Sequence, residues 1–184
     1  MNILRIRFEE LYRRHLCRHG QFGINVLHLM AVYGIYFSVF SLAAILLQYL
    51  PTQPGPTFVT ATLAALSVPY LLLLLCNVPL PAFLATLAAT TALIWTARAG
   101  SELFVAVHLL LIVFWHRFQL WSHTRYTLRR DMTEFTATYR KGVTLSVLLA
   151  VYELPLLHHY FIAGQTPLSG ADPEPHQATV GRTD

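Results

Sequence analysis

The chain has 184 residues, of which 55 % are hydrophobic and only 12 % charged, with a formal net charge of +4. An ordinary soluble domain carries about 25 % charged residues, and so short a chain has too little polar surface to cover this much apolar area. A soluble globular domain and a nucleic-acid-binding protein are excluded, and with two cysteines, Cys17 and Cys76, so is a disulfide-stapled scaffold.

The first 26 residues carry Arg5, Arg7, Arg13, Arg14 and Arg18 and no apolar stretch of the length a signal needs, so no cleavable signal peptide is expected. Leu4, Phe8, Leu11 and Tyr12 mark one face of a helix with Arg and Glu opposite, predicting an amphipathic segment over 1–26. Such a helix lies in the headgroup plane or packs as a cap on the bundle.

Five apolar runs follow: Leu27 to Leu50, Pro56 to Cys76, Leu80 to Ala97, Leu103 to Leu120 and Val143 to Ile162. Each approaches the roughly 20 residues a helix needs to cross a bilayer. Backbone polar groups in lipid must be satisfied within the segment, so the runs are predicted to be helices. Pro69 is expected to kink the second. Between the fourth and fifth runs, Leu128, Met132, Phe135 and Tyr139 recur at helical spacing among charged residues, predicting a second amphipathic helix over 122–141. The last segment, 163–184, is rich in Pro, Gly and Thr and is expected to be a disordered tail. The fold class is therefore all-α: an integral membrane bundle over 27–162 with about five transmembrane helices and two cytoplasmic amphipathic helices.

Eleven of the thirteen basic residues sit in the N-terminal segment or around the second amphipathic helix. Positive-inside bias places both blocks in the cytoplasm, with the N-terminus inside and, after five crossings, the tail on the opposite side.

Nine histidines are many for so apolar a chain. His15 and His19 share a helical face, as do Asn25 and His28, and His116, Gln119 and His123 form a stripe at the end of the fourth run. With the topology above, His15, His19, His28, His116 and His123 lie at one depth. Neutral imidazole is the commonest metal-binding side chain, and costly polar groups in membrane spans tend to be functional. These five are the candidate ligands, His15 the weakest because it can point to solvent. Asn25 and Gln119 are the candidates for holding a ligand histidine in its tautomer. The opposite face is expected to carry Arg98, Glu102, His108, Glu153, His158 and His159. There Glu153 should be paired or protonated, with a proton path or a structural hydrogen bond as its role, and His158 and His159 should be interfacial.

The stretch His19-Gly-Gln-Phe-Gly-Ile-Asn25-Val-Leu-His28, with Ser38 ten residues on, resembles the opening signature of the 2-hydroxy fatty acid dioxygenase family of small multi-span membrane proteins. Trp115-His-Arg-Phe-Gln119-Leu-Trp-Ser-His123 resembles that family's second signature, with Ser122 standing where the family has a glycine. The resemblance implies ferrous iron (Fe2+) held by His19, His28 and His123, and a reaction in which dioxygen shortens a 2-hydroxy fatty acid by one carbon. Membrane lipids and a lipid or fatty acyl substrate would be its partners. Two readings stand beside it. A b-type haem electron carrier would use a pair such as His108 and His158 as axial ligands. A non-enzymatic scaffold or permease component would need no metal.

Overall fold

The computed structural model describes residues 8–50, 55–126 and 143–164, and every regular element among them is a helix. These are α1 (Phe8–Arg18), α2 (Phe22–Gln48), α3 (Pro56–Asn77), α4 (Leu80–Gly100), α5 (Val105–Tyr126) and α6 (Val143–Ala163). The expected amphipathic helix from 127 onward and the tail from 165 onward lie outside the described residues. Residues 122–126 continue α5.

Four helices, α2 to α5, are long and apolar enough to cross a membrane. Their surface supports that reading. Outward-facing Leu110 is 70 % exposed and Leu46 68 %, while Asn25, Ser38, Ser41, Thr86 and His108 are buried without exposure. Apolar residues outside and polar residues inside are what a helix bundle in lipid requires. The fifth apolar run is also helical, as α6. Neither Pro69 in α3 nor Pro155 in α6 ends its helix.

Small residues set how closely the helices approach. A Cβ at Gly34 of α2 would lie 2.2 Å from the Trp115 indole of α5, and one at Gly100 of α4 would lie 2.1 Å from the Ser41 hydroxyl. Only glycine admits these contacts, as in membrane bundles generally. Within α4, Thr86 and Thr90 bond the carbonyls one turn back, so their hydroxyls are buried without penalty.

α1 has acidic residues in its first turn and Arg18 in its last, which complements the helix dipole. Phe8, Leu11, Tyr12 and His15 form its buried face, while Glu9, Glu10 and Arg13 are exposed. The Phe8 and Tyr12 rings pack edge-on against His159 of α6, and the Tyr12 hydroxyl donates to the Gly164 carbonyl. Burial pushes the Tyr12 phenol up to about 12, helped by nearby Tyr160. α1 is thus a cap docked on the bundle.

α6 packs against α1, α2, α4 and α5. Down α2, Phe22 meets Phe161, Tyr33 meets His158, and Tyr36 donates to the Ala150 carbonyl. Across α4, Thr86 meets His158. The end of α6 lies beside α1, where the Gly164 carbonyl accepts from Tyr12. The sequence reading had the chain leave the bundle at the opposite end. On α6, Glu153 meets Gln119 and His158 meets Tyr33 and Thr86, while the Tyr152 hydroxyl and His159 Nε2 are buried without a hydrogen-bond partner among the described residues. The pairing matters because an unpaired polar group is costly in an apolar interior.

Candidate metal centre

Three imidazoles converge at the α1 end of the bundle. His19 lies in the short connection between α1 and α2, His28 on the second turn of α2, and His123 near the end of α5. Their ring centroids are 4.4 Å (His19–His28), 5.0 Å (His19–His123) and 4.7 Å (His28–His123) apart. One nitrogen from each lies within 4.8 Å of the other two. Neutral imidazoles repay little by crowding each other, whereas a metal with bonds of about 2.0–2.2 Å draws three such nitrogens together.

Asn25 builds the approach. Its Nδ2 donates to the carbonyls of His19 (2.6 Å) and Gln21 (2.9 Å), and its Oδ1 accepts from His15 Nε2 (2.8 Å). One fully buried amide thereby fixes the turn that delivers His19. α2 begins at Phe22 rather than Leu27, so Asn25 and His28 both stand on helical backbone.

The hydrogen bonds also set the tautomers. His19 Nδ1 lies 3.3 Å from the His15 carbonyl, which can only accept, so Nδ1 carries the proton. His19 Nε2 is then a buried lone pair, and it has no hydrogen-bond partner. The Ser122 hydroxyl donates to the Gln119 carbonyl (2.7 Å), so toward His28 Nδ1 at 3.1 Å it must accept. His28 Nε2 is again the free lone pair. A donor bond at one nitrogen and a bare lone pair at the other is how proteins prepare a ligand histidine.

Burial favours the neutral forms of His15 and His19. Burial pulls His15 down to about 4, against the opposing hydrogen bond from Asn25 and with help from nearby Arg18 and His123. Burial, then the neighbouring His15, His28 and His123, hold His19 far below the ordinary histidine range.

The triad opens onto a cavity of about 250 Å³. Leu11, Leu120, Leu148 and Leu156 supply apolar wall, and Arg14, Arg18, Gln119 and Glu153 supply polar groups. An apolar chain with a polar end matches such a lining.

The structure sorts the expected site residues. His19, His28 and His123 meet. His15 stands beside them, its ring stacked on His19 at 4.3 Å and its Nε2 engaged by Asn25, so it supports the cluster. His116 is exposed and lines the cavity without joining the triad. Asn25 contacts the cluster directly, as expected of a supporting group, whereas Gln119 donates to Glu153 (3.0 Å). That last contact moves Glu153 from the opposite face, where the sequence reading set it, to the cavity. Its Oε1 is 4.0 Å from His28 Nε2. His158 and His159 are buried rather than interfacial.

No family model, curated protein or solved structure matches this chain. The site is therefore argued from its own geometry. That geometry disfavours the haem pair. His158 uses both ring nitrogens on the hydroxyls of Tyr33 (3.0 Å) and Thr86 (2.8 Å) and so has none left for a haem iron, whereas His108 Nε2 bonds the Gly100 carbonyl (2.8 Å) and its Nδ1 is without a hydrogen-bond partner among the described residues.

Proposed function

We propose that this chain is a membrane oxygenase whose triad His19, His28 and His123 holds iron and acts on a fatty acyl or related lipid substrate. The observation that carries the reading is the buried, unpartnered Nε2 of His19 together with the bare Nε2 of His28, each prepared by a donor bond at Nδ1. Imidazole donors suit iron, zinc, copper and nickel. The likeness of His19–His28 and Trp115–His123 to the signatures of the 2-hydroxy fatty acid dioxygenases selects iron and a 2-hydroxy acid among these. A ferrous ion there would supply dioxygen activation.

The chain's own residues do the rest. The triad leaves positions open for dioxygen and substrate. Leu11, Leu120, Leu148 and Leu156 receive the acyl chain, and Arg14 and Arg18 attract its anionic end. Docking α1 over the cavity limits water at the reacting carbon. In this reading α6 is a fifth bilayer element, and the triad end, with Arg13, Arg14, Arg18 and Arg125, faces the cytoplasm.

The test is turnover. Purified protein loaded with ferrous iron and given a 2-hydroxy fatty acid under oxygen should release an acid one carbon shorter, and His123→Ala should abolish this. No oxygen uptake with hydroxylated or plain fatty acids would overturn the reading. A reporter inserted at Gly20 should reside in the cytoplasm.

A further inference from the structure

We propose that Glu153 is a fourth protein ligand to the metal held by His19, His28 and His123, an assignment that rests on the metal reading above. The sequence reading grouped this carboxylate, near the middle of the fifth run, with the opposite face, and no signature includes it.

The first ground is the pairing of lone pairs. The Ser122 proton is committed to the Gln119 carbonyl, so His28 Nδ1 bears hydrogen and Nε2 does not. That bare Nε2 faces Glu153 Oε1 across 4.0 Å. Two acceptors oppose each other at a distance too long for a hydrogen bond. A first-row ion with bonds of about 2.0–2.2 Å to each fits between them with little movement.

The second ground is charge. Three neutral imidazoles leave a divalent ion with its full double charge in apolar surroundings, where isolated charge is costly. Among the described residues, Glu153 is the one acidic side chain on the cavity wall. Binding through it halves the net charge of the centre.

The third ground is support. Gln119 Nε2 donates to Glu153 Oε1 at 3.0 Å, from one turn before His123 on the same helix. Ligating carboxylates are characteristically held by such an outer hydrogen bond. Arg18, also on the cavity wall, offsets the carboxylate charge. The resulting set of three nitrogens and one oxygen favours borderline divalent ions over cuprous copper.

Cobalt(II) alone is the probe, because its visible spectrum reports the ligand set directly. Metal-free protein in detergent is titrated as wild type, Glu153→Gln, Glu153→His and His28→Ala, with helicity and elution volume checked for each. Wild type should bind one cobalt. Glu153→Gln should bind roughly 10- to 100-fold more weakly with an altered spectrum. Glu153→His, which restores a donor, should recover affinity with a spectrum shifted toward nitrogen ligation. His28→Ala should bind none. If Glu153→Gln matches wild type in affinity and spectrum while His28→Ala fails, the triad stands and Glu153 is not a ligand. If Glu153→Gln is weak and Glu153→His does not recover, the residue is structural and the proposal falls. If Glu153→Gln does not fold, Glu153→His decides alone: a shifted spectrum supports ligation and an unshifted one rejects it. If wild type binds no cobalt, the metal reading fails and takes the assignment with it.

Discussion

The Ser122 hydroxyl lies 3.1 Å from His28 Nδ1 and decides which nitrogen of that ring faces the cavity. Ser122→Ala removes this acceptor and leaves the Ile24 backbone as the ring's other hydrogen-bond partner, so the ring is held less firmly. Metal affinity should fall about 10- to 100-fold with helicity unchanged. A competition titration against a chelator reads this, and an unchanged affinity would show that the contact is incidental.

Asn25→Ala should act on stability as well as on the metal. It strips partners from His15 Nε2 and from the His19 and Gln21 carbonyls. Buried groups left unpaired cost about 1–3 kcal/mol. The thermal midpoint in detergent should drop, and metal retention should drop with it because His19 loses its anchored turn. A variant as stable as wild type would contradict the role given to Asn25.

His158→Ala separates fold from site. His158 joins Tyr33 of α2 to Thr86 of α4 and touches none of the triad. Its loss should destabilise the bundle by about 1–3 kcal/mol while metal content per folded protein stays at the wild-type level. Loss of metal without loss of stability would point to a second site at His158.

Acidification should loosen α1 in metal-free protein. His15 has a folded pKa of about 4 against an ordinary 6.5, so between those values the unfolded chain binds the proton and the folded one resists it. Stability is therefore full above pH 6.5 and falls as pH drops toward 4. Thermal midpoints over that range should decline for wild type and decline less for His15→Phe. A flat profile would mean that His15 is not buried in solution.

The helical bundle was legible because apolar run length alone dictates spanning helices: four of the five runs recur as candidate membrane spans within a few residues of the expected bounds. The gathering of His19, His28 and His123 was legible too, since helix-end histidines at one depth follow from run order. Glu153 was noticed as a lone carboxylate in an apolar run but grouped with the opposite face; it stands at the midpoint of α6, and the cavity it faces depends on how α6 packs against α2 and α5, which run order does not report. Ser122 carried no signal, since a serine matters here only through the ring it faces across two helices. His116 shares the helical stripe of His123, yet its side chain is exposed at the cavity edge. Spacing fixes the face of a helix and leaves open how far a side chain reaches into the site.

The central claim is that three histidines from α2, α5 and the α1–α2 connection hold one metal. Elemental analysis of protein purified without chelator tests it most directly, with His28→Ala and His123→Ala beside the wild type. The account predicts close to one first-row metal, iron, per wild-type chain, and almost none in either variant at unchanged helicity. Wild-type protein that carries no metal and takes up none when iron(II), cobalt(II) or zinc is supplied would contradict it.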